Sequence, residues 1–245
     1  MKRYSWIAGF ALALLSSCAT TGVQRYTPSF DYTPSKEVKP AAANITFGVV
    51  NASYPEPIPL FQQFGQNMSQ DFFEILTARG YTVRGPFRTY DDITFPDKKG
   101  SDLILMPELQ IRGDASRIKW EQGFGAALLG AMVGSNAGYS AKGDIVFSGR
   151  VNLVLAESLS REKMWTKSID IPPLTVHIEE TKLYPQPGVP LHDLLENEDV
   201  LYNDVAKALE AQYKTILDRS YQYLDPEEIS IVKKQSQEIR NKKVY

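Results

Sequence analysis

The sequence predicts an α/β (α+β) fold: a single domain with a mixed β-sheet packed by helices, a long β-hairpin and a C-terminal helical tail. Three patterns predict it. Between Ile45 and Val83 a β-rich run is followed by helically spaced apolar residues, a glycine and a second β-rich run. Apolar and polar residues alternate from Ile145 to Leu155. Helical spacing returns at Asp199 and persists to the end of the chain. The bulk composition permits such a domain, because 245 residues with 43% apolar and 23% charged content rule out wholesale disorder. A net charge of -2 lacks the basic excess of a nucleic-acid binder, so no nucleic-acid partner is expected. One cysteine and two histidines exclude an internal disulfide and a cysteine-rich zinc site.

Residues 1–17 read as a lipoprotein signal peptide. Lys2 and Arg3 supply the positive start, and Trp6 to Leu15 is an uncharged run too short to span a bilayer. Leu15-Ser16-Ser17-Cys18 resembles the lipobox of bacterial lipoproteins. The Cys18 thiol is the nucleophile that accepts diacylglycerol, and cleavage frees its amine for another acyl chain. Cys18 is therefore the expected lipid-attachment site and the membrane, through N-terminal acyl chains, the expected partner. Losing Lys2 and Arg3 takes the net charge from -2 to -4. Ala19, where an Asp would favour inner-membrane retention, points to the outer membrane.

Residues 18–43, with Pro28, Pro34 and Pro40, read as the lipid anchor and a flexible tether of roughly 25–30 Å average span. The domain proper is expected over 44–224. Ile45–Asn51 is its first strand, and Leu60–Arg79 a helix with Phe61, Phe64, Met68, Phe72, Ile75 and Leu76 on one face. Gly80 ends that helix, and Tyr81-Thr82-Val83 returns as a strand. Asp102–Ile111 is the next strand. Residues 144–171 form the hairpin, turning at Ser158-Leu159-Ser160-Arg161, and Pro172-Pro173 is expected to stop the return strand. Residues 172–198 read as irregular, and Asp199–Arg219 as a helix. A separate C-terminal helix is expected over 225–245, with Asp225 as cap, Pro226 in the first turn and Glu228 completing a capping box.

Several stretches resemble the neuraminyllactose-binding haemagglutinin family of bacterial outer-membrane lipoproteins. They are Phe73–Val83, the charged Asp97-Lys98-Lys99-Gly100 leading to the strand through Ile111, Val151–Leu155 with its Ser158 turn, and the tail from Asp218-Arg219-Ser220-Tyr221 to Lys243. The resemblance spans residues 44–243. It implies a surface lipoprotein, a sialic-acid-binding adhesin type also found with flagellar sheaths. The family's receptor-binding segment is strongly basic. The corresponding Ser116–Gln122 keeps Arg117 and Lys119 beside Trp120 as candidate ligand contacts, but Glu121 offsets one charge. A carboxylate-bearing sugar, a sialylated glycan, is correspondingly less well matched.

The remaining chemistry is sparse. His177-Ile178-Glu179-Glu180 gathers ligand-type groups, but His192 lies outside helical ligand spacing, so a solvated loop is expected. Glu196-Asn197-Glu198-Asp199 lacks EF-hand spacing and suits a helix start instead. Ser158 and Ser160 belong to no nucleophile motif. No catalytic residue, metal ligand or cofactor is therefore predicted. Gly123–Gly143 holds six of the sixteen glycines. Ala126, Gly130, Gly134 and Gly138 recur every four residues, a row that permits close contact on a helix. Residues 123–143 are thus a candidate interface for a protein partner or self-association, with packing on the chain's own sheet as the alternative. The expected function is a non-enzymatic, lipid-anchored envelope protein that binds a host glycan or partner. The alternative is a structural or assembly accessory of secretion or flagellar-sheath type.

Overall fold

A computed structural model describes residues 23–33, 44–54, 58–122, 139–183 and 191–242. Strand β1 (Thr46–Val50) runs into helix α1 (Pro59–Ala78), which returns as β2 (Thr82–Phe87) parallel to β1. The helix stops because Gly80 adopts φ 85°, which glycine tolerates without penalty. The amides of Gly80 and Tyr81 then reach back to the carbonyls of Thr77 and Leu76, at 2.9 and 3.2 Å. The charged stretch at 97–100 lies in a short helix, α2 (Phe95–Gly100), capped by Thr94 and held to β2 by Arg84–Asp97 at 2.8 Å.

Strand β3 (Leu103–Asp114) lies parallel to β1 on its other side. β5 (Tyr139–Glu157) pairs antiparallel with β3, and β6 (Lys163–Leu183) antiparallel with β5. The short β4 (Lys119–Gln122) extends the line of β3 along β5. The sheet is mixed and runs β2-β1-β3-β5, with β4 and β6 on opposite edges of β5. Helices α3 (Leu191–Asn197), α4 (Asp199–Tyr223) and α5 (Pro226–Lys242) complete the chain.

Alternation divides the sheet into two faces. Phe47, Val49, Leu103, Leu105, Val151, Leu153 and Leu155 pack with the apolar residues of α1, α4 and α5 in one core. The opposite face buries a smaller set, Val50, Ile104, Met106, Val154 and Ala156, under Tyr90 and Ile93. Further along that face the side chains turn polar, and Gln110, Arg112, Arg150, Ser168 and Asp170 are exposed.

Four expectations change. β6 does not stop at Pro172-Pro173; it continues to Leu183, while 191–197 is helix rather than irregular. The two prolines stand opposite the single Ser148, between the Phe147–Leu174 and Gly149–Ile171 pairs. A bulge on an edge strand has no ladder N–H to lose there, so proline is tolerated. α4 runs on to Tyr223, beyond Arg219. At the start of α5, Asp225 does accept from the amides of Glu227 (3.0 Å) and Glu228 (3.2 Å). The Glu228 carboxylate does not close the box; it takes Trp165 Nε1 at 2.8 Å and Lys167 at 3.0 Å.

The fourth change concerns the tether. Within 18–43, residues 23–33 have no regular secondary structure but lie docked along α1 and α4. Phe30 is buried edge-on to Phe64, with ring centroids 5.1 Å apart, and 5.3 Å from Tyr213. Tyr26 donates its hydroxyl to Glu210, and Tyr32 donates to Asp218 at 2.8 Å. Burying one such aromatic contributes roughly 1.5–3 kcal/mol, enough to hold a short segment in place.

Candidate functional site

In α/β sheets ligands gather at the carboxyl ends of the parallel strands. Here β1 and β2 end at Val50 and Phe87, and a cleft of about 590 Å³, lined by both apolar and charged side chains, opens beyond them. Asn51–Tyr54 forms one wall. Its shape is fixed by Asn51 N donating to Phe87 O (2.7 Å), Ser53 N to Pro107 O (3.0 Å) and Ala52 N to Ser69 Oγ (2.8 Å). Gly65 lets this wall approach α1, since a Cβ there would sit 3.1 Å from Ala52 Cβ. Arg88–Asp91 forms the second wall, and Glu108, Arg161 and Lys163 line the third side.

The cleft carries three cations, and each is paired. Arg88 forks onto Asp92 at 3.1 and 3.2 Å. That guanidinium, together with the Thr89 hydroxyl, holds the Asp92 carboxyl down at about 2. Lys163 meets Glu108 at 2.7 Å, and Arg161 meets Asp91 at 3.9 Å. Lys98 and Arg161 both lie over the Tyr90 ring, at 4.1 and 5.0 Å, and Tyr90 donates its hydroxyl to Ser158 O at 2.7 Å. Surface pairs of this kind are individually weak and exchange readily for a ligand's anion. Aromatic rings, guanidinium forks and the amides of Asn51 and Gln66 suit a polar, hydroxylated or anionic ligand.

The sequence-predicted contacts lie elsewhere. Arg117 is exposed in the turn before β4, Lys119 stands opposite Lys142, and Trp120 opposite Ala141. From Glu108 to Lys119 the strand line advances roughly 35 Å, so these residues and the cleft are separate sites. His177 is in β6 rather than a loop, with Nδ1 2.7 Å from Asp144 Oδ1, and His192 sits beside Asp193 on α3 at 3.0 Å. The histidines are thus not brought together, and among the described residues no three His, Cys, Asp or Glu could hold a metal. Ser158 is tied down by the Ser101 carbonyl (2.9 Å) and by Arg240. The candidate row Ala126, Gly130, Gly134 and Gly138 lies outside the described residues, as does Cys18; the row's flanks meet at the Gln122–Tyr139 pair. Sequence reasoning missed Arg88, Tyr54, Arg161 and Lys163. The one signal for them was their position just after strand ends or at the hairpin turn.

A second cleft, apolar and about 190 Å³, lies between Phe61, Phe147, Ile171, the Pro172-Pro173 bulge and Leu209. Among the described residues no helix is long and apolar enough to cross a membrane.

The fold defines a class of known structures. It is shared with a neuraminyllactose-binding hemagglutinin homolog from Helicobacter pylori, at 18% identity and a TM-score of 0.56, covering 87% of this chain and 100% of that one. The family that the sequence resembles is therefore also the one whose fold the chain shares. Protein XCC0632 from Xanthomonas campestris matches at 13% identity over 87% of this chain and 98% of its own, with a TM-score of 0.39. Lipoprotein GNA1162 from Neisseria meningitidis matches at 14% over 66% and 96%, with a TM-score of 0.27. No family model and no curated protein matches the sequence.

Proposed function

We propose that this is a lipid-anchored protein of the bacterial outer membrane that binds a ligand rather than transforming one, and that the cleft between β1, β2 and the hairpin turn receives it. One observation carries the reading: a fold shared with a haemagglutinin homolog over that protein's whole length stands behind a lipobox whose cysteine is the only one in the chain. The ligand class is a glycan, with an acidic sugar favoured by Arg88, Arg161 and Lys163. Each of these already has an acidic partner, so an incoming carboxylate competes, and modest affinity follows.

Two experiments test this. Cys18→Ser should abolish fatty-acid labelling and release the protein from the membrane fraction; continued labelling refutes the anchor. Lipid-free protein should bind sialyllactose more tightly than lactose, and Arg88→Ala with Lys163→Ala should remove that preference. If Arg117→Ala with Lys119→Ala removes it instead, the site is at the other end of the sheet. Absence of glycan binding, with a stoichiometric envelope protein recovered by crosslinking, would favour an assembly accessory.

A further inference from the structure

The docked N-terminal segment decides how the domain stands on its membrane. A free tether from Cys18 to the first strand would let the domain sit anywhere within a broad shell of the bilayer. The segment 23–33 is not free. Its path follows α4 from the first turn toward the last. Gln24 O accepts from Asn203 Nδ2 at 3.0 Å, and Tyr26 N donates to Asn203 Oδ1 at 2.6 Å. Tyr26 then reaches Glu210, Phe30 meets Tyr213, and Tyr32 reaches Asp218. Arg25 clamps the start: Nη2 donates to Leu195 O at 2.7 Å, its guanidinium covers the Tyr202 ring at 4.0 Å, and it pairs with Asp199 at 3.7 Å.

Docked in this way, residues 23–33 are held to the domain. Four residues lie between Cys18 and Val23, five backbone steps that span at most about 18 Å of fully extended chain. The end of the domain formed by α3 and the first turn of α4 must therefore lie close to wherever the lipid is inserted. That end also carries exposed apolar side chains. Val23 is 51% exposed, and Val200, next to the Arg25–Asp199 pair, is 53% exposed. Solvent-facing valines beside an anchor suit a lipid surface better than water.

We infer that residues 23–33 are a mooring, and that they hold the α3–α4 end of the domain against the bilayer, with α4 pointing its other end away. This rests on the lipid anchor proposed at Cys18. Glu196, Glu198, Asp199 and Asp204 share this end, so zwitterionic headgroups fit it and anionic lipid repels it.

The lone native cysteine is consumed by lipid, so an introduced cysteine is a unique label site. Lipidated protein carrying Asp204→Cys or Arg219→Cys, both at exposed positions, is labelled with a donor dye. It is then placed on phosphatidylcholine–phosphatidylethanolamine vesicles with headgroup acceptors. The two sites lie roughly 22 Å apart along the helix. Transfer should be at least about twofold greater from position 204. A Gly-Ser insertion of roughly a dozen residues between Gly22 and Val23 leaves the docked segment untouched and should erase the difference. Phe30→Ala should reduce it by loosening the dock. Equal transfer from both sites in protein that still floats with vesicles overturns the mooring while leaving the anchor standing. Failure to float, with no fatty acid on Cys18, overturns the anchor and the mooring with it.

Discussion

At the residue scale the most consequential group is Asp71, the one charged residue on the buried face of α1. It is buried, and it accepts the Tyr213 hydroxyl across the α1–α4 interface. Burial raises its carboxyl to about 6, with Glu74 and Asp31 adding to the rise and the Tyr213 bond opposing it. The folded chain therefore holds a proton between roughly pH 4 and 6 that the unfolded chain releases. This group's contribution is most favourable below pH 4, falls as pH rises to 6, and stays low above that. Asp71→Asn keeps an acceptor for Tyr213 and removes the titration. Relative to the wild type, the variant should gain in urea midpoint as pH rises from 4.5 to 7.5. A constant offset across that range would show that Asp71 does not titrate in it. The sequence showed Phe61, Phe64 and Phe72 as core but gave no sign of Asp71, because a polar residue on an apolar stripe declares nothing about its partner 142 positions away.

At the element scale, local chemistry reads well and long-range placement does not. Gly80 as a helix stop and the alternation at Ile145–Leu155 depend on neighbours in sequence, and both expectations hold in the structure. Pro172-Pro173 reads as a stop in the sequence because proline lacks a ladder donor, yet a bulge on an edge strand needs none. Deleting Pro173 should therefore be tolerated: it leaves Pro172 alone opposite Ser148, turns the bulge into a one-to-one ladder and keeps Leu174, Val176 and Ile178 on the core side. Little loss of urea midpoint is expected, whereas deleting Thr175, outside the bulge, sends Val176 and Ile178 to the open face and should cost much of it; equal losses from the two deletions would contradict the bulge. Arg79 poses the same problem of distance. Its guanidinium donates to Leu224 O and, at 2.7 Å, to Tyr221 O, and it stacks on the Tyr221 ring at 3.9 Å. It thus caps the end of α4 from the end of α1. Arg79→Ala should destabilise the fold by about 2–3 kcal/mol, read from a melting curve, with Arg79→Lys rescuing only part. The cleft was illegible for the same reason: its walls come from 50–54, 88–91, 106–108 and 161–163, and no one of these stretches looks like a site alone.

At the scale of the whole molecule, the division into a domain at 44–224 and a C-terminal helix at 225–245 makes a testable claim about folding units. The contacts of α5 argue against independence. Ile229 and Val232 are buried in the main core, and Ser236 Oγ donates to Asp102 O at 3.0 Å. Arg240 Nε donates to Glu157 Oε1 at 2.7 Å, and the Glu157 side chain is 0% exposed. Its other oxygen is taken by the amides of Leu159 and Ser160, at 3.0 and 2.6 Å, which shape the hairpin turn. Removing α5 takes away Ile229 and Val232 and uncovers the core they pack on, and the burial of each is worth roughly 1.5–3 kcal/mol. Breaking the buried ion pair from one side costs about 3–5 kcal/mol more. Those losses are comparable with the 5–15 kcal/mol of stability that a domain typically has. A chain ending at Leu224 should therefore lack a cooperative melt and be cut rapidly by protease near Ser158, whereas the full chain should unfold in one transition. Arg240→Ala provides the graded control: it keeps the helix and loses the pair, so it should melt cooperatively but earlier. If the chain ending at Leu224 melts cooperatively near the full-length temperature, α5 is an accessory tail and the Glu157 carboxylate finds other partners without it.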